Sequence, residues 1–322
     1  MNKYLPWLLR LLGPALLIYV LFFSGLQWAE LGATLSGANT WLVLLSLLLM
    51  APFIWIKSWR WTRILRELHI SLPLNTAAGI YTVGLFLGGT TPGQAGDFAK
   101  GFYLRDRGAA LAPAMLSVVL DRLCDLLVMA VLAALSVFAF SSLLPNQALQ
   151  TALVLATGGS LLLATWMLLA RGPREWLLGS LLPRVLPGRL RATLDRWREQ
   201  FSSLSLRPQL IAVMAVSSLI SAGFTFLRLW LLFQALDLVN VPLLTVVAVS
   251  ALIAVLQVLP ISIGGVGVRD TVLIAALAVY GYGTEQAVSL SLLFLLLNIE
   301  HIIVGFIVSF WFPLGRSESG ER

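Results

Sequence analysis

The chain has 322 residues, 59% of them hydrophobic and 11% charged, with a mean hydropathy of +0.90. A soluble domain carries roughly 25% charged residues, so a water-facing surface is excluded for most of this chain and lipid takes its place. The formal net charge of +7, from 22 Lys and Arg against 15 Asp and Glu, would suggest nucleic acid in a soluble protein; here the arginines gather in particular loops and follow the positive-inside rule, with no nucleic-acid partner.

Taken in chain order, the first apolar stretch is 6–23, after Lys3. No small-x-small cleavage site follows it, and it reads as a retained span. Further apolar runs at 41–56, 112–140, 153–170, 211–226 and 287–312 approach or exceed the length of about 20 residues that a spanning helix needs. Lys57, Arg60, Arg63 and Arg66, then Arg105 and Arg107, the stretch 171–207, and Arg316 and Arg322 mark one side. The loops 25–40, 141–150, 237–241 and 281–286 contain no Lys or Arg. That asymmetry predicts a multi-pass cell (inner) membrane protein with both termini cytoplasmic. Trp41, Trp55, Trp59, Trp61, Trp166, Trp230 and Trp311 fall near span ends, as interfacial aromatics do. The one cysteine, Cys124, lies inside an apolar run, so neither a disulfide framework, a metal cluster nor a cofactor is expected.

Two segments resist a simple span. Residues 77–90 lead into Thr91-Pro92-Gly93-Gln94-Ala95-Gly96 and then 97–107; residues 243–259 lead into a tip with Gly264, Gly265 and Gly267 and then 268–281. Eleven helical residues reach only about 16 Å, against a hydrocarbon core of about 30 Å. Both segments read as re-entrant hairpins, or as two short full spans with the motifs at the far surface. Gly84, Gly88 and Gly89 suit close helix packing. The two hairpins resemble each other: Thr91–Gly96 against Ser262–Gly267, Pro73-Leu74 against Pro242-Leu243, Arg60-Trp61 against Arg228-Leu229-Trp230, and Asp125 against Glu300. By the loop charges, the first copy enters from the cytoplasm and the second from outside. The expected fold is therefore one all-α polytopic membrane domain over 1–322, with about six full spans plus two re-entrant helical hairpins in an inverted-topology repeat, repeat one at about 41–140 and repeat two at about 211–312. Secondary transporters built this way bind substrate at the repeat interface.

The ionisable residues inside these runs are the candidates for function, because each costs about 2.5–3.5 kcal/mol at a helix centre. Asp121, Arg122 and Asp125 share one run, with Arg122 placed to pair with Asp125 at helical spacing. Glu300 and His301 lie in the last span as a local pair or a polar site, and Arg228 lies toward the end of its span, where it could snorkel. Asp97 and Lys100 follow the first tip, and Arg269 and Asp270 the second. Helix N-termini at such tips suit a phosphate; Asp97 and Asp270 also suit plain N-caps. Leu190, Leu194, Trp197, Phe201 and Leu204, flanked by arginines, form an amphipathic linker helix over 171–207 on anionic headgroups. No Walker A sequence, His-Glu-x-x-His or cysteine–base pair is present.

Together, Gly88-Gly-Thr-Thr-Pro-Gly-Gln-Ala-Gly-Asp97, Asp121-Arg-Leu-Cys-Asp125 and Leu259-Pro-Ile-Ser-Ile-Gly-Gly-Val-Gly-Val-Arg-Asp270 resemble the flippase-like transmembrane domain of lysylphosphatidylglycerol synthases (multiple peptide resistance factors) and its stand-alone relatives, over nearly the whole chain. In the full-length enzymes, this resemblance implies, the domain moves aminoacylated phosphatidylglycerol between leaflets, while a separate cytoplasmic domain makes the lipid. No synthase domain is found here. Three functions are expected: a flippase for a phospholipid or polyprenyl-linked lipid, a membrane-embedded headgroup transferase with Asp121 or Asp125 as base, or a non-catalytic partner of a lipid-modifying enzyme. The substrate-binding set is Asp121, Arg122, Asp125, Arg228, Glu300 and His301, with Thr91, Gly93, Gln94, Gly96, Asp97 and Lys100 from the first hairpin and Gly264, Gly265, Gly267 and Arg269 from the second.

Overall fold

A computed structural model describes residues 28–139, 207–258 and 267–312, with Thr151, Gly159, Gly172, Trp176 and Ser180. Apart from Gly159, the expected spans at 6–23 and 153–170, the amphipathic pattern at 190–204 and the tip glycines Gly264 and Gly265 lie outside the described residues. Among the described residues all regular structure is helical: α1 (Trp28–Ser36), α2 (Thr40–Leu48), α3 (Met50–Glu67), α4 (Leu74–Gly89), a 3-10 helix (Pro92–Phe98), α5 (Ala99–Arg105), α6 (Leu111–Ala139), α7 (Pro208–Ala235), α8 (Leu243–Val258), α9 (Val268–Ala278) and α10 (Thr284–Ser309). Asn39 starts α2 by accepting from the Trp41 and Leu42 amides, the ordinary use of an N-cap carboxamide. Helices α2 and α3 meet at Leu49, because Pro52 has no N–H to give the Leu48 carbonyl.

Among the described residues, three stretches are long and apolar enough to cross a membrane: Thr40–Glu67, Pro208–Ala235 and Thr284–Ser309. Helix α6 has 29 residues, about 44 Å at 1.5 Å per residue, and carries Asp121, Arg122 and Asp125 near its middle. Helices α4 and α8 have 16 residues each, so each is about 24 Å long and shorter than the hydrocarbon core.

The same local backbone occurs twice. Thr40–Glu67 and Pro208–Ala235 both have 28 residues, and each ends in a left-handed residue, His69 at φ 59° and Asp237 at φ 55°. The closing bonds match: Ile70 N to Leu65 O at 2.9 Å and Leu238 N to Phe233 O at 2.9 Å. Behind the hairpins, Gly108 (φ 88°) and Gly281 (φ 79°) correspond. Helix α7 runs antiparallel to α2 and α3: Asn39 N donates to Ala235 O at 2.8 Å, Ser46 Oγ to Arg228 O at 3.0 Å, and Arg60 Nη1 to Ser218 Oγ at 2.6 Å. The exchange is reciprocal elsewhere too, with α4 packing on α10 and α8 on α6.

The distribution of polarity is inverted relative to a soluble protein. Trp41, Leu48, Leu219, Ile220, Phe306, Phe310 and Trp311 are exposed, whereas Arg60, Asp97, Lys100 and Asp121 are buried. Lipid accepts such an outer surface, and the interior charges are tolerated because they face one another.

Candidate functional site

Helices α3, α4, α5 and α6 carry a buried ionic cluster. Arg60 on α3 donates to Asp121 Oδ1 from Nε at 2.9 Å and from Nη2 at 2.6 Å, and to Asp125 Oδ1 from Nη1 at 2.6 Å. Lys57, one turn earlier, reaches Asp125 Oδ2 at 2.7 Å. Asp121 and Asp125 are four residues apart on α6, so one face of that helix presents both. The second Asp121 oxygen accepts from Tyr81 on α4 at 2.9 Å and from Lys100 on α5 at 3.2 Å. Lys100 also pairs with Asp97 at 2.9 Å and lies 4.0 Å from the Tyr81 ring centre. Arg122 donates to Asp97 Oδ2 at 2.6 Å and to Gln94. The cluster thus holds four cations, Lys57, Arg60, Lys100 and Arg122, against three carboxylates, Asp97, Asp121 and Asp125. Its enclosed floor is Arg60, Lys100, Asp97 and Asp121, while Lys57, Asp125 and Arg122 remain 13%, 17% and 26% exposed at its edge.

A second, smaller cluster joins α7, α2 and α10. The buried Arg228 donates to the Ser46 carbonyl at 2.9 Å, meets His301 Nε2 at 3.1 Å and pairs with Glu300. Phe53 stands between the two clusters, with Lys57 Nζ 4.8 Å from its ring centre and the His301 ring 5.9 Å away. Arg60 with Asp125 and Arg228 with Glu300 are the residues that the sequence comparison of the two halves aligned.

Several expectations change here. Arg122 pairs with Asp97 and Gln94 rather than with Asp125, because the first hairpin folds its tip back onto α6. Arg228 does not snorkel; its guanidinium is enclosed where the Ser46 carbonyl and Glu300 satisfy it. Glu300 and His301 are not paired with each other, since both turn to Arg228. Asp97 is no N-cap, as Thr91 opens the 3-10 helix and Phe98 opens α5; its carboxylate goes to cations instead. Asp270 does act at a helix start, accepting from Gly267 N at 2.7 Å. Lys57 and Arg60 are not surface markers of one membrane face, for their side chains point into the bundle.

The first tip is a self-satisfied turn. Thr91 Oγ1 donates to Leu87 O at 2.8 Å and accepts from Gly96 N at 2.6 Å. A Cβ at Gly96 would lie 2.0 Å from Leu87 O, so only glycine fits, and Gly93 falls within the 3-10 helix. Gly84 lets α4 pass the tip closely, since a Cβ there would lie 2.8 Å from both Asp97 Oδ1 and Lys100 Cγ. At the second tip Arg269 donates to Ser291 Oγ at 3.0 Å and pairs with Asp270 at 3.2 Å. It shares no hydrogen bond with the clusters above among the described residues. Sequence reasoning missed Lys57, Tyr81 and Ser218, and treated Arg60 as a loop charge; the available signal was the alignment of Arg60 with Arg228, which placed a basic residue at matched depth in two spans.

Residues 7–305 match the family model described as lysylphosphatidylglycerol synthase TM region. No curated protein matches the chain.

Proposed function

The chain belongs to the family of the lysylphosphatidylglycerol synthase TM region, and on that premise we propose that it moves a phospholipid or polyprenyl-linked lipid between leaflets and performs no covalent chemistry of its own. The observation that carries this reading is the pair of matched, half-open ionic clusters inside helices whose outer faces are apolar. Both candidate lipids bear a phosphate. The surplus cation in the first cluster suits it, and the partly exposed Lys57 and Arg122 at the edge offer it a first contact without breaking the floor. The residues taken to line the path are Lys57, Arg122, Asp125, Arg228, Glu300 and His301.

The antiparallel packing of α7 on α2 and α3, the matched caps and the reciprocal packing of α4 and α8 support two halves related by inverted topology. In this reading α4 and α8 descend only part-way through the membrane. With 6–23 and 153–170 as spans, the fold has about six crossings and both termini in the cytoplasm of a cell whose inner membrane holds the protein. A transferase reading needs Asp121 or Asp125 as a free base. Both carboxylates are bonded to two cations each, which leaves neither free to act as a base.

The test is reconstitution into liposomes containing fluorescent phosphatidylglycerol, phosphatidylethanolamine or polyprenyl phosphate, with impermeant quenching of outer-leaflet label. The full chain should raise the quenchable share of at least one lipid above that in protein-free liposomes. Asp125→Asn should slow this roughly tenfold or more, as a barrier increase of about 1.4 kcal/mol does. No acceleration with any of the three lipids would refute the reading.

A further inference from the structure

Among the described residues the two clusters above contain four carboxylates, and they differ in how many cations hold them. Asp97 is held by Lys100 and Arg122, Asp121 by Arg60 and Lys100, and Asp125 by Arg60 and Lys57. Among the described residues Glu300 has Arg228 as its one cation. Removing one cation therefore leaves each aspartate with another, whereas Glu300 is left with none. Glu300 is 16% exposed, close to Asp125 at 17% and unlike the enclosed Asp121 and Asp97.

Among the described residues the surroundings of Glu300 supply no replacement. Helix α7 contributes Arg228 and α2 the Ser46 carbonyl. Helix α3 contributes Lys57, which is already bonded to Asp125 and faces His301 across the Phe53 ring. Helix α4 presents Thr82, Phe86 and Gly89 to α10, none of them charged. The charged pair on α9, Arg269 and Asp270, meets α10 at Ser291, more than two turns before Glu300. Helix α1 meets α10 through Leu31 and Val288. His301 gives no positive charge in this arrangement either: a guanidinium can only donate, so the Nε2 atom facing Arg228 Nη1 at 3.1 Å accepts and the ring is neutral.

We propose that Glu300 is a proton site exchanged against a lipid phosphate: the phosphate draws the Arg228 guanidinium to itself, and the released Glu300 carboxylate takes one proton from water to become a neutral carboxylic acid. The charge balance is closed, with one negative charge and one proton entering together. An unpaired carboxylate in an apolar interior neutralises itself rather than remaining charged. The proposal rests on the transport reading for its consequence, which is that an anionic lipid and a proton move together and a pH gradient drives the lipid. The binding event itself stands apart from that reading.

The experiment measures proton uptake by the purified full chain in detergent, in weakly buffered solution with a pH-indicating dye. One arm adds dihexanoylphosphatidylglycerol and the other dimethyl phosphate, diesters that do not themselves titrate near neutrality. Linkage predicts roughly one proton taken up per anion bound. Uptake with both probes assigns the exchange to the phosphate group itself; uptake with the lipid alone assigns it to the lipid headgroup. Glu300→Gln should take up no proton for whatever lipid it binds. If that variant does not fold, infrared spectra of wild-type protein with glutamate labelled at the δ-carbon carry the test: a protonated glutamate band should appear on adding the lipid. Binding without proton uptake, unchanged uptake in Glu300→Gln, no binding of either probe, or absence of that band overturns the proposal. Normal uptake in a protein that moves no lipid in liposomes refutes the transport reading and supports the proton site.

Discussion

Asp121→Asn is the substitution whose cost the structure defines best. The side chain is fully buried and accepts four bonds, two from Arg60 at 2.9 and 2.6 Å, one from Tyr81 at 2.9 Å and one from Lys100 at 3.2 Å. Asparagine matches the shape but supplies one acceptor oxygen and one NH2 group. That NH2 must face either the Arg60 guanidinium or the Tyr81–Lys100 pair, both of which are donors. The lost charge also strands part of two buried cations. Removing one partner of a buried pair costs about 3–5 kcal/mol, which corresponds to a melting-temperature drop of roughly 4–7 °C at about 2.1 cal/mol/K of unfolding entropy per residue. The assay is thermal unfolding of purified protein in detergent, followed by tryptophan fluorescence. Glu67→Gln is the control, because its partner Arg207 lies 3.7 Å away at the surface and such pairs are worth under about 1 kcal/mol. Equal melting temperatures for Asp121→Asn, Glu67→Gln and wild type would refute the claim that this cluster holds the bundle together.

Other outcomes follow from the same contacts. Tyr81→Phe should cost about 1 kcal/mol, since Lys100 still serves that Asp121 oxygen; a loss as large as that of Asp121→Asn would contradict the division of labour. Gly96→Ala should abolish folded yield, because its methyl would sit 2.0 Å from the Leu87 carbonyl. Gly223→Ala, in mid-helix with nothing within 4 Å of the added carbon, should raise stability by roughly 0.5–1 kcal/mol from helix propensity; size-exclusion yield and melting temperature check both. Arg228→Lys keeps the charge but cannot reach Glu300, His301 and the Ser46 carbonyl at once, and should lose about 1–3 kcal/mol of stability together with lipid movement.

Much of the helical plan was legible because apolar run length reports directly on membrane spans. The run 211–226 sits inside α7 and the run 287–312 covers most of α10 and passes its end by three residues, and the short helix lengths around the tips were readable from Gly and Pro positions. The partners of the charges were not legible. Spacing along one helix suggested Arg122 with Asp125, yet the choice was made by a tip 25 residues earlier in sequence, which brings Asp97 under Arg122. Similarly, Arg60 followed an apolar run and read as a flanking charge. Only the depth at which α7 crosses α3, with Ser218 at 2.6 Å, puts it inside. Side-chain direction in a bundle is set by neighbours from distant sequence, and one helix's periodicity does not contain it.

Central to this account is that the two halves face opposite sides of the membrane, and the matched left-handed caps give the most direct test. His69→Cys and Asp237→Cys, each placed singly in a Cys124→Ser background, report the ends of the corresponding helices α3 and α7. A membrane-impermeant thiol reagent applied to intact cells should label residue 237 and leave residue 69 untouched, while inside-out vesicles should give the reverse. Labelling of both positions from the same side would contradict the inverted arrangement and the shared pathway built on it.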